Sequence, residues 1–282
     1  MPIIFSGNEK VAYRDPACIY ADGIYHLFFT VSEKQDGYMY NFLAHSESAD
    51  LKSFTEPKII TERDKNKNFC SPGCVMRIGD RYLICVTSYP MPEPYSVRWY
   101  ADDTARLYFI ETKDFREFSE PKRIYPKGKD CDDEGRMIDP YLLEDAGRYL
   151  LFFKQNGVSI SESHDLENWN YLGRVDGGEN ACIIEDCGKY TMLHSPENGI
   201  GIKTSENLTD WRDEGVFLPK ESHKPWASGR LTAAFAMKNP KSDAPYKYIV
   251  FFHGSRADSY PETHGAASLA MYSTNDFKEY VF

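Results

Sequence analysis

Long hydrophobic runs are missing from this sequence. The longest, residues 149–153 and 248–252 among them, have five residues each, against the roughly 20 that a membrane-spanning helix needs. Positive charge is also short: 33 Lys and Arg face 43 Asp and Glu, a net charge of −10 over 282 residues. That balance excludes nucleic acid and an anionic membrane surface as natural partners and favours a small, uncharged or cationic substrate. Sustained 3.6-residue periodicity is scarce, which argues against a helical fold. The seven cysteines are few and odd in number, and most sit in apolar stretches such as Leu83-Ile84-Cys85-Val86, where a thiol serves as a small hydrophobe. Neither Cys70-x3-Cys74 nor Cys182-x4-Cys187 has a histidine pair at zinc spacing nearby, so no metal ligands are assigned. The start, Met1-Pro2-Ile3-Ile4-Phe5, has no basic segment, apolar core and small-residue cleavage site. A cytoplasmic location is therefore expected.

Aromatic residues are abundant, at 15%, and evenly spread, which excludes disorder. They belong to a repeat. Asp or Asn, then Leu or Phe, two residues and an aromatic occurs five times: Asp50-Leu51-Lys52-Ser53-Phe54, Asp114-Phe115-Arg116-Glu117-Phe118, Asp165-Leu166-Glu167-Asn168-Trp169, Asn207-Leu208-Thr209-Asp210-Trp211 and Asp276-Phe277-Lys278-Glu279-Tyr280. Each copy follows a loop, an apolar segment, a Gly-containing turn and an aromatic strand, the pattern of a hairpin. A third strand is expected around residues 105–111 and 158–162, and an outer one after the turn. Successive copies lie 42 to 69 residues apart. Four strands at that period describe a β-propeller blade, so five copies predict an all-β, five-bladed β-propeller with four-stranded antiparallel blades around a central channel, one domain over residues 1–282. The repeated motif itself reads as a structural turn. The fifth copy ends at residue 282, leaving no outer strand, and an exposed blade edge is a liability. The segment around Ile3-Ile4-Phe5 is expected to fill that place.

Repetition supplies the scaffold, and departures from it mark the site. Asp15 and Asp139 each lie ten residues before their strand tyrosine, Tyr25 and Tyr149, and Asn180 lies ten before Tyr190, with Glu179 just ahead of it. Ser71 occupies the corresponding place in blade two. Asp-Pro alone is a common turn starter. Three carboxylates at or beside one repeat position of three blades form a costly cluster, which function usually explains.

Tyr13-Arg14-Asp15-Pro16, Met137-Ile138-Asp139-Pro140-Tyr141 and Gly178-Glu179-Asn180-Ala181 resemble, in order, the three acidic motifs of glycoside hydrolase family 43 and its five-bladed relatives. The resemblance implies hydrolysis of β-xylosidic, α-arabinofuranosidic or related linkages with inversion. It implies that Asp15 is the general base, Glu179 the general acid, and Asp139 the residue that raises and orients the acid. Two departures stand out: Glu179-Asn180-Ala181 replaces the family's usual Glu-Gly-Pro, and Ser71-Pro72 its frequent Ala-Pro-Asp. The related fructosidases usually begin Asn-Asp-Pro-Asn-Gly, which Arg14-Asp15-Pro16-Ala17 does not match. The chemistry itself needs one protonated and one ionised carboxyl.

Sugar rings stack on aromatic faces, which makes Trp226 and Trp99 candidates for substrate binding, together with Arg230 and Ser71. Trp169 and Trp211 belong to the repeated turn and read as structural. His253 follows a buried strand and reads first as a satisfied core residue. Relatives place a histidine near this position to hold a channel water or calcium, so the resemblance makes it a second-line site residue. No cofactor is required. The expected partner is an oligosaccharide or small glycoside. Three other readings fit the same fold: a sugar-binding propeller without catalysis, a fructosidase, and a glycoside phosphorylase, for which Arg230, His253, Arg256 and His264 are the basic residues available. The acidic run 130–135 lacks the ligand order of a calcium loop and reads as a solvated loop.

Overall fold

A computed structural model describes residues 3–94, 103–131, 135–197, 199–218, 224–257 and 264–281. The chain opens with β1 (Ile3–Phe5) and then builds five four-stranded antiparallel sheets in sequence. Blade one holds β2 (Val11–Ala21), β3 (Ile24–Gln35), β4 (Tyr38–Ser48) and β5 (Lys58–Ile59). Blade two holds β6 (Phe69–Ile78), β7 (Arg81–Ser88), β8 (Arg106–Thr112) and β9 (Lys122–Arg123). Blade three holds β10 (Ile138–Asp145), β11 (Arg148–Lys154), β12 (Val158–Ser163) and β13 (Asn170–Val175). Blade four holds β14 (Glu179–Asp186), β15 (Lys189–Ser195), β16 (Ile200–Ser205) and β17 (Arg212–Leu218). Blade five holds β18 (Arg230–Lys238), β19 (Tyr248–Ser255) and β20 (Ser268–Thr274), and its outer strand is β1. The expected closure is therefore present: Ile3 pairs with Ala270 and Phe5 with Leu269.

The second strand of each blade lies between neighbouring blades, so both of its faces are covered. Phe28-Phe29, Phe152-Phe153 and Phe251-Phe252 are all fully buried. This is why these strands read as unbroken apolar runs and not as alternating ones. Cys85 is buried as a free thiol in β7, and Cys18, Cys70, Cys74 and Cys182 are buried likewise in the first strands β2, β6 and β14.

The repeated turn has one mechanism in all five copies. The residue after the Asp or Asn is left-handed: Leu51, Phe115, Leu166, Leu208 and Phe277 have φ between 58° and 65°. The strain is offset by local hydrogen bonds. Asp114 Oδ1, for example, accepts the amides of Arg116 (2.9 Å) and Glu117 (3.1 Å), an Asx turn. Two residues earlier a Ser or Thr hydroxyl accepts the amide of the left-handed residue, as Thr112 does for Phe115 at 2.9 Å. Trp169 and Trp211 donate their indole N–H to the carbonyls of Leu166 and Leu208 within this turn. Both are structural, as expected.

Candidate active site

The first strand of every blade carries a bulge near the channel. Its central residue is left-handed each time: Asp15 (φ 48°), Ser71 (47°), Asp139 (55°), Asn180 (54°) and Ala233 (55°). The pairing register breaks at the same five places. In four blades two consecutive bulge residues line the cavity, and in blade five Thr232 does; backbone strain of this kind gathers at functional sites. Asp15, Asp139 and Glu179 thereby line one cavity of about 290 Å³ together with Ser71, Asn180, Arg14, Arg136, Arg230, Thr232, His253 and His264.

The bulge amides are held by the neighbouring blade. Thr30 Oγ1 accepts the Ser71 amide (2.8 Å), Thr87 Oγ1 that of Asp139 (3.0 Å) and Ser195 Oγ that of Ala233 (2.8 Å). His253 Nδ1 accepts the Asp15 amide at 3.2 Å. His253 pairs with Thr232, just as Thr30, Thr87 and Ser195 pair with Arg14, Cys70 and Glu179. It is the blade-five version of a recurring amide acceptor, placed where the ring closes. Glu179 is set by a close approach: a Cβ on Gly178 would lie 1.6 Å from the Ser195 carbonyl oxygen, so only glycine fits before it.

The three carboxyls have different environments. Asp15 is 5% exposed. Burial opposes its charge, but the Arg14 guanidinium and the hydroxyls of Thr30 (3.1 Å) and Ser71 (3.3 Å) outweigh it and hold its pKa below the usual carboxylate range. Asp139, equally buried, is pushed up to about 8 by burial first and then by Glu179 and Asp15, against the opposing pull of Arg136. Glu179 is held by two guanidiniums, Arg230 Nη2 at 3.0 Å and Arg136 Nη2 at 3.6 Å. Arg136 is itself fixed by Tyr89, whose hydroxyl accepts from Nε at 3.0 Å. Arg14 reaches Asp15 at 3.7 Å and His264 Nε2 at 2.7 Å. Asp15 is thus favoured in its ionised form and Asp139 in its protonated form, and both line the same cavity; acid/base catalysis needs a contrast of this kind.

Among the binding candidates, Ser71, Arg230 and His253 line the cavity. Trp226 does not. It is buried in the short 3-10 helix Pro225–Ala227, its ring centroid 6.0 Å from that of Phe252. Its indole fills space that a Cβ on Gly254 would take, 2.6 Å from Cζ3. The ring turns into the core, so the expected substrate contact is not made. Trp99 and residues 132–134 of the acidic run lie outside the described residues. Of the basic residues named for a phosphorylase, Arg230, His253 and His264 line the cavity while Arg256 does not. His253 is a poor calcium ligand here, because Nδ1 is taken by the Asp15 amide and the ring is flanked by the charges of Arg14 and Arg230. Calcium also prefers oxygen ligands.

Arg14, Arg136 and Thr232 were not singled out from the sequence. Arg14 and Thr232 each directly precede a bulge residue, as Glu179 does, which is a positional signal. Arg136 comes from a loop and carries none.

Over residues 12–200 the chain matches the model of the glycosyl hydrolases family 32 N-terminal domain. No curated protein sequence matches. Several solved structures share the fold. A thermostable family-43 glycoside hydrolase is 16% identical, covering 96% of this chain and 92% of its own, with a TM-score of 0.65. An exo-1,5-alpha-L-arabinanase from a bovine ruminal metagenomic library is 13% identical, covering 95% of each chain, with a TM-score of 0.65. A family-43 enzyme from Xanthomonas citri in complex with xylose is 12% identical, covering 99% and 93%, with a TM-score of 0.66. The motifs favoured the family-43 pattern. The matching model is that of family 32, and the family-43 likeness lies in the fold; both support a five-bladed propeller glycosidase.

Proposed function

From the premise that this chain belongs to the glycosyl hydrolases family 32 N-terminal domain family, and is a glycosidase on the five-bladed propeller, we propose inverting hydrolysis of a pentoside-type bond, β-xylosidic or α-arabinofuranosidic. The observation that carries the mechanism is the convergence of Asp15, Asp139 and Glu179 on one cavity, supported by a lowered pKa at Asp15 and a raised one at Asp139. In this reading Asp15 takes a proton from the attacking water. Glu179 gives one to the glycosidic oxygen, and Asp139, pushed toward its protonated form by burial and by the charges of Glu179 and Asp15, lines the same cavity beside it. The released sugar carries the new hydroxyl, and the leaving group departs as a neutral alcohol. The pentoside assignment rests on the resemblance of the acidic motifs and on the arabinanase and the xylose complex among the similar structures. It needs no metal: the carboxyls supply both proton transfers, and the substrate is an oligosaccharide or small glycoside.

The test is a pair of variants assayed on glycosides of graded leaving-group pKa. Glu179→Gln should lose roughly 10²–10⁴-fold on poor leaving groups and far less on activated aryl glycosides. Asp15→Asn should lose both, with turnover partly restored by azide. Equal losses across all leaving groups in Glu179→Gln would reject it as the acid. A product of retained configuration would reject inversion.

A further inference from the structure

The cavity has a charge that the proposed chemistry does not use. Among the described lining residues Arg14, Arg136 and Arg230 face the carboxyls of Asp15 and Glu179, while Asp139 is held protonated and His253 and His264 are held neutral by burial. That leaves one positive charge in excess, in a chain whose net charge is −10. A pocket for a purely neutral pentoside has no need of it.

Arg14 and Arg230 both act on the His253 ring, and Thr232 is the β-partner of His253, so the three lie on the side where blade five meets blade one. Arg14 Nε, Arg230 Nε and Thr232 Oγ1 are buried without a hydrogen-bond partner among the described residues. All three residues line the cavity, and Thr232 is 1% exposed. Three unsatisfied buried donors, two of them cationic, are expensive unless a ligand completes them. Two guanidinium N–H groups and a hydroxyl match the acceptors of one oxyanion.

We propose that this side of the cavity binds a carboxylate on the sugar being cleaved, so that the preferred substrate is a uronic acid glycoside. The inference deepens the hydrolase reading of the same cavity and rests on it for the catalytic step. A β-glucuronide has the ring and hydroxyl pattern of a β-xyloside, with a carboxylate added at C5. The pentoside framework is thus kept and the oxyanion site filled. Inorganic phosphate is the other source of an oxyanion for the same donors, and the experiment separates the two.

The experiment compares binding of glucuronate, xylose and inorganic phosphate to the full chain by calorimetry, alongside hydrolysis of aryl β-glucuronide and β-xyloside. Glucuronate should bind roughly 10–100-fold tighter than xylose, the scale of hydrogen bonds to a charged group, and the advantage should shrink as salt rises. Arg14→Gln and Arg230→Gln should each remove most of that ratio, and Thr232→Val a smaller part. The salt response of the unaltered protein keeps the test decisive if a variant fails to fold. Xylose binding as tightly as glucuronate overturns the proposal, as does cleavage of xylosides alone; the hydrolase reading then survives. Phosphate-dependent turnover yielding a glycosyl phosphate overturns it in favour of phosphorolysis. Tight, salt-sensitive glucuronate binding without turnover of any glycoside supports the oxyanion site and rejects the hydrolase reading.

Discussion

The Asp15 backbone amide donates to His253 Nδ1 at 3.2 Å, which joins the first blade to the last at the residue proposed as base. Because Nδ1 accepts, the ring carries its proton on Nε2, and burial pulls its pKa down to about 3. The neutral form is the working one. In three other blade junctions a hydroxyl does the same work for Ser71, Asp139 and Ala233.

His253→Ala should therefore act through Asp15 and not through substrate contact. It leaves a buried amide unsatisfied, at a cost of about 1–3 kcal/mol in stability, and lets the left-handed Asp15 relax. Turnover should fall while KM changes little. His253→Gln, whose carbonyl can accept the same amide, should recover part of the loss. A mainly KM-driven defect would instead place His253 on the substrate.

Much of this arrangement was legible in the sequence, and the exceptions have physical causes. The repeated turn could be counted because its left-handed residue and Asx hydrogen bonds demand a narrow choice of side chains. Asp15, Asp139 and Asn180 could be aligned by counting back from the strand tyrosine because their hairpins close in two residues, as at Asp22-Gly23, where both φ angles are positive. The count fails in blade five. There nine residues separate β18 from β19, which displaced Thr232 and Ala233 from the expected spacing. Trp226 stands just before blade five, and sequence does not show that its ring packs into the core against Phe252. The guanidinium pair on Glu179 comes from a loop and a strand start in different blades, a meeting that no local pattern reports.

Asp139→Asn should trade activity for stability. The carboxyl has a folded pKa near 8, far above its ordinary value of 3.8, so the folded state binds the proton more tightly than the unfolded chain. Its stabilising effect is complete below pH 3.8 and is lost as pH rises toward 8. Asparagine cannot ionise. The variant should be more stable by on the order of 1–3 kcal/mol at neutral pH, with the gain growing up to about pH 8, as denaturant titration would measure. The proton store is lost at the same time, so the alkaline limb of kcat/KM should move to lower pH. A destabilised variant with an unchanged pH profile would contradict both the pKa and the pairing with Glu179.

Acid should destabilise the fold through its buried histidines. His45, His194 and His253 are depressed to about 3, 4 and 3, and His264 well below its ordinary value of 6.5, in each case chiefly by burial. Folded pKa values below unfolded ones mean stability that is complete above pH 6.5 and falls as pH drops toward the folded values. The melting temperature should decline from about pH 6.5 downward, before most carboxylates titrate. His45→Phe should flatten part of this decline, since His45 already stacks on Phe28 with ring centroids 4.7 Å apart. A melting temperature unchanged between pH 7 and pH 5 would rule out buried neutral histidines as the cause.

Ring closure depends on three residues of β1, and the prediction concerns Phe5. Its ring lies 5.1 Å from that of Phe29, 5.4 Å from Tyr13 and 6.3 Å from Phe54, while its backbone pairs with Leu269 of blade five. One residue thus binds the outer strand of the last blade to the core and turn of the first. Phe5→Ala removes the ring contacts and leaves the strand pairing, and should cost about 2–4 kcal/mol, read as a lower urea midpoint. The site lies at the same junction: the Tyr13 amide donates to the Ala267 carbonyl at 2.9 Å, two residues before Asp15. The variant should therefore lose turnover at temperatures where circular dichroism still reports intact blades, because Asp15 and His253 separate before the propeller unfolds. If activity and secondary structure instead melt together, the seam is no weaker than the blades, and Phe5 contributes only its share of a uniform core.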